Sequence, residues 1–117
     1  MKDNLIQTKS YSFAIRIIKL YCHLTKEKKE FVLSKQILRC GTSIGANVEE
    51  AIGAQSKKDF IAKLSIAYKE ARETAYWLRL LCDTDFITKI QLESLATDCD
   101  ELLKILGKIQ ISSKKNL

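Results

Sequence analysis

Nucleophilic, metal and acid–base chemistry rests mainly on histidine, cysteine and paired carboxylates. The chain has a single histidine, His23, and four cysteines, Cys22, Cys40, Cys82 and Cys99. A serine or cysteine nucleophile needs a base within hydrogen-bond reach. Cys22 cannot use His23 if both lie on one helix, because consecutive helical side chains diverge. His23 shares a side with Arg16 and Lys19, which reads as a solvated position. The cysteines form no C-x-x-C pair. Each falls on or beside an apolar helical stripe, where a free thiol behaves as a small hydrophobe. A dinuclear metal bundle requires two Glu-x-x-His motifs, which one histidine cannot supply. No metal, no cofactor and no enzymatic activity are expected.

The carboxylates point the same way. Glu70 and Glu73 share a helical face, as do Asn47 and Glu50. Such pairs can do acid–base work, but more commonly they form interhelical salt bridges and hydrogen bonds. Arg39 shares a face with Glu50 but sits too far along it to pair, so partners on other helices are expected. The stretch RCGTSIGANVEEAIGAQSKKDF, Arg39 to Phe60, holds three of the four glycines of a proline-free chain. A phosphate-binding loop would need G-x-x-x-x-G-K-[ST] between a strand and a helix. Gly41 and Gly45 are four apart with no lysine following, and SKQILRC before them reads as helix. A dinucleotide fingerprint fails for want of a preceding strand. The two glycines are therefore read as helix-packing positions: one turn apart, they leave a shallow groove that a neighbouring helix can enter. Close packing must offset the roughly 1 kcal/mol that each costs in helix propensity.

Charge is the remaining chemical resource. The net charge is +6. Residues 1–30 carry seven bases against three acids, whereas residues 84–117 balance five with five. A concentrated basic surface attracts polyanions. Arg16, Lys19, Lys26, Lys28 and Lys29 are the candidate phosphate contacts.

These residues need helices to position them. The 117-residue length suits one domain with its own core, and the absence of proline favours long helices. Apolar periodicity predicts helices over about 10–26, 34–53, 56–83 and 88–111. Ser34 is a candidate N-cap, Gly53 a left-handed stop, and Ser56 to Asp59 and Thr88 to Gln91 two capping boxes. The final SSKKNL reads as a frayed tail. Four amphipathic helices with short links fit an all-α, antiparallel up-down-up-down four-helix bundle. The first helix is apolar well beyond one stripe, through Ile15 and Ile18. The third carries a second set, Ile66, Glu70, Glu73, Trp77 and Leu80, on its far side. These seven residues are candidates for an oligomer interface, the alternative for the set on the third helix being a wide, irregular core face. No segment reads as a membrane span or signal peptide, and a cytoplasmic location is expected.

The run from Val32 to Leu81 closely resembles the four helix bundle proteins encoded by intervening sequences of bacterial 23S rRNA genes. The resemblance rests on Leu38-Arg39 through Gly45-Ala46-Asn47, Glu50-Ala51, Ser56, Asp59-Phe60, Leu64-Ser65-Ile66-Ala67, Glu70, Glu73 and Trp77-Leu78. It extends over roughly Ser10 to Ile109. The ordered series is specific, although no single piece is; Gly45 stands where many members place proline. The resemblance implies a bundle that assembles into a homopentamer. It also implies likeness to the accessory variability determinant protein of diversity-generating retroelements, a basic pentamer associated with nucleic acid. Two functional classes follow: a scaffold that binds RNA or DNA without reading base order, or an adaptor oligomer that docks another protein.

Overall fold

The computed structural model describes residues 4–115. It contains four helices: α1 (Leu5–Lys26), α2 (Leu33–Ile52), α3 (Lys57–Asp83) and α4 (Lys89–Lys115). The connections 27–32, 53–56 and 84–88 can each span about 20 Å at most. Helices of this length run about 30–40 Å, so each must fold back on its predecessor. The result is an antiparallel up-down-up-down bundle 46 Å long and 24 by 20 Å in section. The helices pack in a ring in which α1 and α4 approach least closely.

The core is continuous. Phe13, Ile17 and Leu24 of α1, Ile37, Ile44 and Val48 of α2, Leu64, Leu78 and Leu81 of α3, and Leu102 and Leu106 of α4 are all fully buried. Gly41 and Gly45 both face α1. A methyl added at Gly41 would fall 2.7 and 2.8 Å from the two Cγ atoms of Ile17, and one at Gly45 would fall 3.3 Å from the Ser10 carbonyl oxygen.

The helix ends differ from the sequence reading in four places. α1 starts at Leu5, not near Ser10. The Asn4 side chain caps it by accepting the Gln7 N–H at 3.1 Å, which brings Ile6 and Ser10 into the core. Ser34 does not cap α2. It lies buried in the first turn, and the Glu30 carboxylate instead accepts the N–H groups of Val32, Leu33 and Ser34 at 3.1, 2.9 and 2.7 Å. Gly53 closes α2 with φ −89°, so no left-handed residue is needed there; the left-handed positions are Lys29 (φ 54°) and Asp85 (φ 68°). α4 continues through Lys115, past the expected stop at 111; the last two tail residues, Asn116 and Leu117, lie outside the described residues. Of the two predicted capping boxes, Thr88–Gln91 closes in both directions and Ser56–Asp59 in one. The Ser56 hydroxyl accepts the Asp59 N–H at 3.1 Å. Thr88 and Gln91 exchange reciprocal bonds at 2.8 and 3.1 Å. Among the described residues, no helix is long and apolar enough to cross a membrane.

Candidate nucleic-acid interface

Along the α1–α4 seam, polar side chains bridge the helices. Lys9 Nζ meets Glu101 at 3.0 Å. Arg16 donates to Asp98 at 2.6 Å and to the Ser94 hydroxyl at 2.8 Å. A groove opens beside these bridges. One stretch is lined by Arg16, Lys19, Leu20 and His23 of α1 and by Ile90, Gln91, Ser94 and Leu95 of α4. It leads into a second stretch at the end of the bundle, formed by His23, Lys28, Asp85, Phe86, Ile87, Thr88 and Gln91. His23 and Gln91 line both, so the two depressions adjoin.

Three of the five basic residues singled out in the sequence, Arg16, Lys19 and Lys28, line this groove. Lys26 and Lys29 are exposed beside Lys28 at the same end. Among the described residues, Lys19, Lys26, Lys28 and Lys29 make no ion pair; Arg16 is held by Asp98, and a phosphate there would have to share it. Among the described residues, Asp85 is the single acidic one lining the groove. The groove between α3 and α4 is different. It carries Arg72 and Arg79 together with Glu93 and Asp100, so its charges cancel locally. His23 is half-buried in the groove wall rather than on open surface.

The far face of α3 is organised by Arg39. Its guanidinium reaches Glu73 at 2.7 Å and Glu70 at 3.4 Å, and the Trp77 indole N–H donates to the same Glu73 oxygen at 2.9 Å. The Trp77 hydrogen bond, opposed by partial burial and reinforced by Arg39, holds the Glu73 carboxyl below its ordinary range. Glu50 pairs with Lys63 at 3.1 Å. Trp77 and Leu80 are half-buried, and Trp77 packs against the core. Ile66, Ile15 and Ile18 remain 41%, 42% and 47% exposed. Aromatic surface absent from the sequence reading also appears: Tyr76 packs edge-to-face on Trp77 at 5.3 Å, with the Arg79 guanidinium 6.0 Å from its ring centre.

The thiols are all free. Burial raises Cys40 to about 11 and Cys99 to about 12, which keeps both protonated and unreactive at neutral pH. Among the described residues, no group of three potential metal ligands occurs.

Comparison with known proteins gives a consistent assignment. The family model described as 23S rRNA-intervening sequence protein matches residues 2–108. A crystal structure at 1.70 Å of a protein with unknown function from the S23 ribosomal protein family of Bacteroides thetaiotaomicron VPI-5482 is 58% identical. That similarity covers 94% of this chain and 98% of the other, with a TM-score of 0.91. No curated protein matches. With the bundle, its glycine contacts and the family match in agreement over nearly the whole length, the chain belongs to the 23S rRNA-intervening sequence protein family.

Proposed function

We propose that the protein is a non-enzymatic, self-assembling scaffold that holds RNA or DNA by its phosphate backbone along the α1–α4 groove. The observation that carries this reading is that Arg16, Lys19 and Lys28 line two adjoining depressions along the α1–α4 seam with a single acidic lining residue between them. Phosphate contacts of this kind fix position and carry no sequence information, so binding is indifferent to base order. Assembly supports the same reading. Ile15 and Ile18 lie on α1 alongside the groove residues Arg16 and Lys19, so copies joined through that face would repeat the groove around the assembly. Repetition converts weak single contacts into avidity. The family resemblance sets the expected number of copies at five.

A titration of labelled RNA and DNA at two salt concentrations tests the proposal. Three phosphate contacts per groove correspond to a roughly twenty- to fortyfold loss of affinity between about 50 and 200 mM salt. Replacing Lys19 and Lys28 with alanine reduces both the affinity and the salt slope. Absence of binding at the lower salt overturns the reading and leaves the protein-docking adaptor in its place.

A further inference from the structure

We infer that the groove and the loop at its end select single-stranded nucleic acid over duplex; this rests on the nucleic-acid reading above and goes beyond it to the class of ligand. The cations are only half of what this end of the bundle presents. Phe31 is 55% exposed and Ile90 79% exposed. Ile90 forms part of the groove wall, and Phe31 follows Lys28 and Lys29 by three and two residues. Apolar side chains this open are unfavourable in water, yet the segment that carries Phe31 is firmly held. The Glu30 N–H bonds the Leu24 carbonyl at 2.9 Å, and the Glu30 carboxylate takes the three N–H groups that follow Phe31. The backbone on both sides of Phe31 is thus held, with its side chain exposed and the unpaired Lys28 and Lys29 on the same loop.

Cations along a track with the apolar Ile90 in its wall, and an exposed aromatic on the same loop as Lys28, suit a strand whose base faces are free. A duplex hides those faces in its own stack and gains nothing from Phe31 or Ile90. The α2 N-terminus, otherwise an anion site, is already filled by the Glu30 carboxylate. Phosphates are therefore left to the lysines and bases to the apolar surface.

The test is fluorescence anisotropy with four probes of equal length: single-stranded RNA, single-stranded DNA, an abasic DNA strand and a hairpin duplex. The abasic strand keeps the phosphates and removes the base faces. The expected result is about tenfold tighter binding of the two base-bearing strands than of the abasic strand or the duplex. Phe31→Ala removes about that factor for the base-bearing strands and leaves the other two probes unchanged. Lys28→Ala weakens all four. Both positions are exposed, and circular dichroism checks that the variants fold. Equal binding of abasic and base-bearing strands, or a Phe31→Ala variant with wild-type affinities, overturns the inference while the backbone-binding function stands. Binding of none of the four probes overturns both.

Discussion

Gly41 and Gly107 both lie inside helices, and their surroundings set opposite expectations. At Gly41 an added methyl would meet both Cγ atoms of Ile17. Isoleucine in a helix is nearly fixed at χ1, so it cannot swing aside and α1 must move. Gly41→Ala is expected to destabilise the bundle by about 1–3 kcal/mol through overpacking, after any gain in helix propensity. At Gly107 an added methyl would stand 3.8 Å from its nearest neighbour, a carbon of the Tyr68 ring, which is an ordinary contact. Gly107→Ala should therefore stabilise by about 0.5–1 kcal/mol. Urea melts of the two variants read both signs. Gly41 was legible in sequence as a packing position, because two glycines one turn apart inside an apolar helix need a reason. Its specific neighbour was not, since nothing in the chain says which residue of α1 lies opposite. The buried hydroxyls were harder to read. Ser10, Ser34 and Thr74 occupy core positions, and polar residues there interrupt the apolar period. Each is satisfied locally, with Ser10 donating to the Gln7 carbonyl, Ser34 to that of Glu30 and Thr74 to that of Glu70. Such short back-bonds make a hydroxyl tolerable in a core, and a polar residue at Ser10 obscured the first turns of α1.

At the scale of the helices, α2 depends on a cap supplied from outside it. Partial burial pushes the Glu30 carboxyl up, but the N–H groups of Leu33, Ser34 and Val32 and the Ser34 hydroxyl together bring it below its ordinary value. A carboxyl depressed in the fold stabilises it above the ordinary carboxylate range and stops doing so as pH falls through the lowered value. Glu30→Ala is therefore expected to cost about 0.5–2 kcal/mol at neutral pH, the range of a lost N-cap. The gap from wild type should close on acidification, as read by denaturant melts from about pH 7 to about pH 2. Glu73, held down by Trp77 and Arg39, adds to the same acid loss. The α1–α4 seam should behave differently. Its bridges are exposed, and exposed pairs contribute about 0–1 kcal/mol each. Arg16→Met is thus expected to change stability by less than about 1 kcal/mol while lowering nucleic-acid affinity, an outcome that a purely structural arginine would not give. The groove itself could not be read from periodicity, which places residues on faces but does not report how far apart two helices stand.

At the scale of the whole molecule, the proposed scaffold depends on what covers the open apolar surface. Ile15, Ile18 and Ile66 are each more than two-fifths exposed, and Tyr11 and Tyr76 are more exposed still. A scaffold that repeats its basic groove needs those faces joined between copies. Replacing Ile15 and Ile18 with lysine should divide the assembly without unfolding the subunit, because neither residue belongs to the core. Multi-angle light scattering of the wild-type protein is the most direct measurement. The expected result is a single species at several times the 13.3 kDa of one chain, five times if the family resemblance holds, and a smaller species for the double variant. A wild-type protein that stays at 13.3 kDa at high concentration would contradict self-assembly and the scaffold built on it.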